Sequence, residues 1–230
     1  TCVNKGGKLI IPAFSVGRTQ EIVYALNNFF NQRRLPKIDI YVDSPLAVNA
    51  TTVFRMHPEC FNKSFASVLE TDPDPFDFDN LFYIARQEDS KKLNEHKKPC
   101  VIISASGMME AGRVKHHLAN NISDPKNTVL VVGYCAPTTL GARIVRGDKE
   151  VSIHGNLYEV NAEVKKIESY SGHGDYREMI GFIDCQDKSA LQKTFIVHGE
   201  YETQKKYAET LTSEGFKNLE IPARGEEYEI

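Results

Sequence analysis

The segment Gly6-Gly-Lys-Leu-Ile-Ile-Pro-Ala-Phe-Ser-Val-Gly-Arg-Thr-Gln-Glu21 decides the fold class, because a short apolar run passes through a glycine-bearing turn into a helical pattern. Leu9–Pro12 is the predicted strand, and Ser15-Val-Gly17 is the loop that follows it. Apolar residues then recur on one face of a helix that we expect to end near Arg34, namely Ile22, Val23, Leu26, Phe29 and Phe30. This is one βα unit, the building block of a parallel sheet.

The rest of the chain continues this alternation of predicted strands and helices. Strands are predicted at residues 38–42, 100–104 and 128–132, and helices at residues 46–57 and 111–121. Residues 143–169 show alternation and turn signals, which predict antiparallel hairpins. Asp175-Tyr-Arg-Glu178 predicts a capping box at the start of a helix, and residues 195–197 and 219–221 predict two last strands around another helix. The predicted class is α/β, with a largely parallel sheet flanked by helices.

Composition places the chain among globular proteins. It has 230 residues, of which 41% are apolar and 26% charged, and its formal charge is −3. No apolar run approaches the roughly 20 residues that span a bilayer, so no membrane partner is expected. Five scattered cysteines, none in a CxxC pair, predict reduced thiols and a cytoplasmic protein. Because the net charge is small, any nucleic acid would have to be held by a local groove.

Small polar residues follow the predicted strands at the edge where parallel α/β proteins bind ligands. They are Ser15, Gly17 and Arg18 after the first strand, Asp43 and Ser44 after the second, and Ser104, Ser106 and Gly107 after the third. Such loops can bind phosphate, although simple helix capping explains any single one of them more often.

Four histidines stand at informative places. His198 follows a predicted strand and precedes Gly199, which suits a zinc ligand, a proton shuttle or an ordinary hydrogen-bonded loop residue. His173 lies in Tyr170-Ser-Gly-His-Gly-Asp175, where Asp175 either orients it or only caps the next helix. His116 and His117 are adjacent on a helix, so at most one of them faces a site.

Five segments occur in an order that is far more specific than any single histidine. They are residues 6–21 quoted above, Val42-Asp-Ser-Pro-Leu-Ala47, Ser104-Ala-Ser-Gly-Met-Met-Glu-Ala-Gly-Arg-Val-Lys-His-His-Leu118, Ser171-Gly-His-Gly-Asp175 and Val197-His-Gly-Glu200. In this order they resemble the β-CASP branch of the metallo-β-lactamase-fold nucleases, and in particular its RNA-processing members.

The resemblance implies a β-CASP cap at residues 1–165, with its beginning missing, and the C-terminal part of an αββα metallo-β-lactamase sandwich at residues 166–230. His198 would bind one of two zinc ions, and His173, with Asp175, would act at the scissile phosphate. RNA phosphates would be held by Arg18, Ser44, Ser106, Gly107, Arg113 and His117. The family's main metal motif, HxHxDH, is absent from these residues, so we expect the chain alone to be inactive without the missing N-terminal half of the metallo-β-lactamase domain.

Two other interpretations remain open. The chain could belong to a catalytically dead paralogue that acts as an RNA-binding scaffold, or it could be a small-molecule-binding α/β domain that uses the serine and glycine loops. If residues 166–230 are only part of a sandwich, exposed apolar sheet surface would also favour a homo-oligomer.

Overall fold

A computed structural model of the chain describes residues 2–167, 169–170 and 174–229, which form two compact units, Thr1–Ser171 and Gly172–Ile230. Strands and helices alternate through most of the first unit. Its elements are α1 (Cys2–Lys5), β1 (Leu9–Pro12), α2 (Arg18–Asn31), β2 (Asp39–Asp43), α3 (Pro45–Met56), α4 (Lys63–Leu69), β3 (Leu81–Ile84), α5 (Gln87–Glu95), β4 (Cys100–Ser104), α6 (Arg113–Asn121), β5 (Thr128–Val131), α7 (Leu140–Arg146), β6 (Glu150–Ile153), β7 (Asn156–Glu159) and β8 (Glu163–Lys166).

The first unit is built on one six-stranded parallel sheet, in the order β3-β2-β4-β1-β5-β8. Ile40, Ile102 and Ile10 lie at its centre with no exposed surface. One hydrophobic cluster packs the sheet against α2, α3 and α4, and another packs it against α6, α7 and the β6–β7 hairpin. Because both faces are covered, the central strands are apolar almost throughout. The predicted α/β class with a parallel sheet is confirmed.

The prediction for residues 143–169 is only partly right. β6 and β7 do form an antiparallel hairpin, but α7 covers residues 140–146 and ends at Gly147, which takes a left-handed conformation. Leu140 and Ile144 are both buried, at the i, i+4 spacing of a helix. β8 pairs in parallel with β5, so it extends the main sheet instead of forming a second hairpin.

Two helix ends also differ from the prediction. α2 ends at Asn31, before Arg34, because the backbone of Arg33 turns to a φ of 57° and leaves the helix. α6 begins at Arg113, after Ala111, because Gly112 has a φ of 81°. Both helices therefore end or begin at a residue with left-handed backbone, a feature that apolar periodicity does not report.

The second unit contains two helices and a two-stranded parallel sheet: α8 (Tyr176–Ile183), β9 (Thr194–Phe195), α9 (Tyr201–Ser213) and β10 (Leu219–Glu220). Ile196, Leu211 and Phe216 form its buried core. The capping box of α8 is confirmed, with Asp175 accepting from the N3 backbone and Glu178 accepting from the backbone of Asp175. Of the helices in the described residues, none has the length and apolar character needed to cross a membrane.

Candidate functional site

The ends of β1, β2 and β4 bring several of the predicted loop residues together at one edge of the sheet. Ser15 Oγ lies 2.9 Å from Ser44 Oγ, and Ser44 also caps α3 by accepting from Ala47 N. Ser104 Oγ donates to the carbonyl oxygen of Asp43 over 2.9 Å, and Ala13 N donates to Ser104 O over 3.0 Å. The loops that follow the three strands are thus tied to one another as well as to their own helices.

Asp43 is the centre of this edge. Its carboxylate has no exposed surface and accepts three side-chain hydrogen bonds. Arg113 Nη1 donates to Oδ1 over 2.7 Å, whereas Ser90 Oγ and His117 Nε2 both donate to Oδ2 over 2.6 Å. A single buried carboxylate therefore joins β2 to both α5 and α6.

The donors around Asp43 also set its charge state. Burial alone would raise the pKa of this carboxyl, but the hydrogen bonds from His117, Ser90 and Arg113 outweigh burial and hold its pKa below the ordinary value. Asp43 is therefore ionised at neutral pH and compensates the positive charge of Arg113. A buried charge with this many donors is compatible with a stable fold, whereas an unpaired one is not.

His117 was predicted to contact phosphate, and the structure corrects this prediction. Its side chain has no exposed surface, and its Nδ1 lies 2.7 Å from Asn94 Oδ1 while Nε2 serves Asp43. Both ring nitrogens are occupied, so none can reach an RNA phosphate. His117 instead positions α6 against β2 and α5. The expectation that at most one of the two adjacent histidines faces inward is confirmed, since His116 is exposed.

Both predicted phosphate arginines lie near this edge but are held by protein groups. Besides Asp43, the Arg113 guanidinium donates to the carbonyl oxygens of Ile84 over 3.1 Å and Ala85 over 2.7 Å. Arg18 forms an ion pair with Glu21 one turn along α2, and its guanidinium lies 5.8 Å from the ring centroid of Tyr170. Among the described residues, the Arg113 guanidinium thus makes three hydrogen bonds to protein oxygens, whereas that of Arg18 makes one, to Glu21.

The loop between β4 and α6 is anchored along its length. Ser106 N donates to Ala111 O over 3.0 Å, and Met109 N donates to Ser106 O over 3.1 Å. Gly112 is required at the end of the loop, because a Cβ there would lie 2.4 Å from Ala105 O. Gly107 approaches Phe14 closely, and its own Cβ would lie 3.3 Å from Phe14 Cδ2. No described residue accepts a hydrogen bond from the backbone N–H of Gly107 or Met108.

The predicted site residues of the second unit are only partly described. His173 lies outside the described residues. The Asp175 carboxylate accepts from Arg177 N and Glu178 N, both through Oδ1, so it caps α8. His198 is exposed and has a φ of 66°, in the short connection between β9 and α9.

A catalytic zinc ion needs about three protein ligands of the His, Cys or carboxylate type. Among the described residues, no three such side chains come close enough to hold a metal ion. His198 is a single donor of suitable chemistry, and the described residues do not form a zinc site by themselves. No step of a reaction is therefore assigned to a metal on these residues.

Two members of the Asp43 cluster, Ser90 and Asn94, did not appear among the predicted site residues. Both belong to α5, a helix that the sequence did not predict. The sequence feature that could have pointed to Ser90 and Asn94 is their i, i+4 spacing on either side of Leu93, whose side chain is buried. Asp43 itself was noted at the end of a strand, but its burial could not be known without the helices that cover it.

Comparison with known proteins identifies two family domains in the chain. A family model described as the Beta-Casp domain matches residues 19–144, and one described as a Zn-dependent metallo-hydrolase RNA specificity domain matches residues 157–222. The first match contains β2, β4 and α6, and hence the whole Asp43 cluster. The predicted domain boundary at residues 165 and 166 stays a prediction.

Curated relatives cover nearly the whole chain. It is 34% identical over 220 residues to an RNase J-like protein of Methanocaldococcus jannaschii, which covers 96% of this chain and 48% of that protein. It is 34% identical over 200 residues to a ribonuclease of Thermus thermophilus, with 87% of this chain and 45% of the relative covered. It is 30% identical over 228 residues to the transcription termination factor FttA of Methanosarcina mazei, and this alignment covers 96% of this chain and 35% of that protein.

The chain spans less than half the length of each of these three relatives. The Beta-Casp match nevertheless extends over more than half of the chain, and it falls on the parallel α/β sheet that the sequence motifs predict. The chain therefore belongs to the β-CASP family of metallo-β-lactamase-fold nucleases.

Proposed function

We propose that the protein hydrolyses RNA phosphodiester bonds as a zinc-dependent ribonuclease, and that this chain supplies the edge of the β-CASP sheet that holds RNA phosphates. Relatives named ribonuclease and RNase J-like support the activity. The observation that carries the binding role is the Asp43 cluster, which joins β2 to α6 and to the end of β4, while the Ser15–Ser44 and Ala13–Ser104 bonds add the loop after β1.

The β4–α6 loop is suited to an anion. The N–H groups of Gly107 and Met108 have no acceptor among the described residues, and free backbone N–H groups of this kind bind phosphate oxygens. Cys135 Sγ and Gly141 N bond the carbonyl oxygens of these same two residues, over 3.8 and 3.1 Å, and so hold the loop from the other side. Ser106, Ser44 and Arg18 add polar and positive groups from the same edge.

Arg113 and His117 act indirectly in this proposal. The Arg113 guanidinium is compensated by Asp43 and bound to two carbonyl oxygens, so it fixes the start of α6 against β2 and the end of β3 and does not contact RNA. His117 holds the first turn of α6 in place through Asp43. Both are positioning residues.

The second unit is proposed to contribute His198 as one zinc ligand, with the other ligands outside the described residues. When bound, zinc would activate water and stabilise negative charge on the phosphate. His173 is proposed to handle the proton on the leaving oxygen. Asp175 keeps one carboxylate oxygen available for this step. Both of its helix-capping hydrogen bonds are accepted by Oδ1, and no described residue donates to Oδ2.

The test uses the full-length protein, a labelled single-stranded RNA and the variant His198→Asn. Asparagine tolerates the left-handed backbone at this position, so the loop is kept while the imidazole is removed. We expect the cleavage rate to fall by at least about tenfold and the zinc content to fall by up to one ion per chain, because a catalytic zinc ion needs about three protein ligands. The matched control is His57→Asn, an exposed histidine paired with Glu59, which should change neither quantity.

Unchanged zinc content and cleavage rate in His198→Asn would contradict the ligand role. Salt-dependent RNA binding by a wild-type protein that does not cleave RNA would favour the catalytically dead scaffold instead.

A further inference from the structure

A cavity of about 530 Å³ lies between α5, the beginning of α6 and the β6–β7 turn; it shares Arg113 and Ser90 with the Asp43 cluster, but its lysines and histidines have no role in the function proposed above. Its volume falls within the range of roughly 300–1,000 Å³ that is typical of small-molecule sites. The side chains that determine its charge are Lys91, Lys115, His116, His154, Arg113 and Glu110.

The cavity carries uncompensated positive charge. Within the described part of the chain, no acidic side chain pairs with Lys91 or Lys115. Arg113 is neutralised by Asp43, and Glu110 keeps its negative charge while it accepts from Leu140 N, so with Lys91 and Lys115 the lining carries one net positive charge. Two lysine charges that meet no internal partner favour an anion.

The two histidines add a flat surface to this charge. The rings of His116 and His154 are stacked, with centroids 4.5 Å apart and planes 27° apart. Burial lowers the pKa of His116, and the charges of His154, His117, Lys115 and Lys91 lower it further. At neutral pH His116 is thus a neutral ring in a positive environment, which suits stacking beside a base or sugar.

We propose that this cavity binds the phosphate group of a nucleotide, with Lys91 and Lys115 contacting the phosphate oxygens and the His116–His154 pair packing beside the base. A free nucleotide and a nucleotide within an RNA strand present the same chemistry. The RNA source rests on the proposed ribonuclease function, whereas the free-nucleotide source does not.

The test measures binding of AMP and of a short oligoadenylate to the full-length protein at low salt. The double variant Lys91→Gln/Lys115→Gln should bind both probes at least about tenfold more weakly, because each lost phosphate contact weakens binding. The matched control is Lys92→Gln, which removes the same charge from the same helix but from a side chain that pairs with Asp89 over 2.8 Å. The affinity of Lys92→Gln for both probes should stay within about twofold of that of the wild type.

A second measurement follows the histidine ring signals by NMR. AMP should shift the signals of His116 and His154. The variant His154→Asn should weaken AMP binding while keeping the turn, because asparagine tolerates the φ of 52° at this position. Tighter binding of the oligonucleotide than of AMP, lost in the double variant, identifies RNA as the source. Equal binding identifies a free nucleotide.

The inference is overturned if neither probe binds, if the double variant binds as tightly as the wild type, or if the His154 signal does not move. These outcomes are separate from a failure of the ribonuclease function. His198→Asn can abolish cleavage without changing AMP binding, and the double variant can lose AMP binding while it still cleaves RNA.

Discussion

Adjacent residues of α6 serve two clusters with opposite electrostatic properties. His117 lies in the buried Asp43 cluster, where the carboxylate meets three donors and Arg113 is compensated. His116 lies on the cavity side, where Lys91 and Lys115 meet no acidic partner among the described residues. The difference separates two uses of charge. Compensated charge inside the protein holds elements in register, and uncompensated charge at its surface is left for a ligand.

Asp43→Asn is expected to have the largest effect on this comparison. The substitution leaves the Arg113 charge and the His117 donor without the carboxylate they share, and breaking a buried pair in this way costs about 4 kcal/mol. Urea unfolding measures the loss. Asp39→Asn, on the same strand but only partly buried, is the control and should change the free energy of unfolding by less than about 0.5 kcal/mol. Equal effects at the two positions would contradict a special role for Asp43.

The two histidines give the next largest contrast. His117→Ala removes a donor to Asp43 and opens a cavity at a fully buried position, so we expect a loss of about 3 kcal/mol. His116→Ala removes an exposed ring and should cost less than about 0.5 kcal/mol. Urea unfolding curves of the two variants, recorded together, measure this difference in the free energy of unfolding. If His116→Ala is as destabilising as His117→Ala, the division of α6 into two faces is wrong.

Ser90→Ala is expected to have a moderate effect. It removes one hydrogen bond to the ionised Asp43 and leaves the other two in place, which costs about 1.5 kcal/mol. Ser67→Ala is the control, because its hydroxyl also donates a hydrogen bond but is exposed on α4. A stability change no larger than that of the control would show that the bond from α5 to Asp43 is dispensable.

The smallest effect expected is a pH dependence that belongs to Asp43. Because the folded-state pKa of this carboxyl is lowered, its stabilisation is complete above the unfolded pKa and is lost as the pH falls through the folded value. The difference in unfolding free energy between wild type and Asp43→Asn should be constant from about pH 7 to pH 5 and shrink below about pH 3.9. A difference that stays constant in acid would contradict the lowered pKa.

The predictable parts of the fold are those where buried strands made continuous apolar runs. β1 and β4 were predicted from such runs because packed elements cover both faces of the sheet at these strands. β3 is an edge strand in which Phe82 is exposed, and it was not predicted. α5 was not predicted either, because Ser90 and Leu93 are its only buried residues among those described, and they make no apolar period. β8 was misread because Glu163-Val-Lys-Lys166 carries the polar alternation of an edge strand.

The candidate site shows the same limit. The order of loops at the sheet edge could be read from the sequence, and it placed Ser15, Ser44 and Ser106 at that edge. The Asp43 cluster could not be read from the sequence, because two of its members, Ser90 and Asn94, come from α5. The grouping of Lys91 and Lys115 with His154 around one cavity also depends on a hairpin turn that lies 39 residues after Lys115 along the chain.

Gly107→Val tests the central claim, that the β4–α6 loop holds an RNA phosphate, most directly. The new side chain would stand beside the N–H groups of residues 107 and 108, with its Cβ 3.3 Å from the exposed Phe14 ring and in ordinary contact with the backbone of Phe14 and Ala13, at 3.5 and 3.7 Å. In the full-length protein, with Gly181→Val as a control where nothing lies within 4 Å of a Cβ, the account predicts about a tenfold higher KM for RNA cleavage at nearly unchanged kcat. An unchanged KM in Gly107→Val would contradict it.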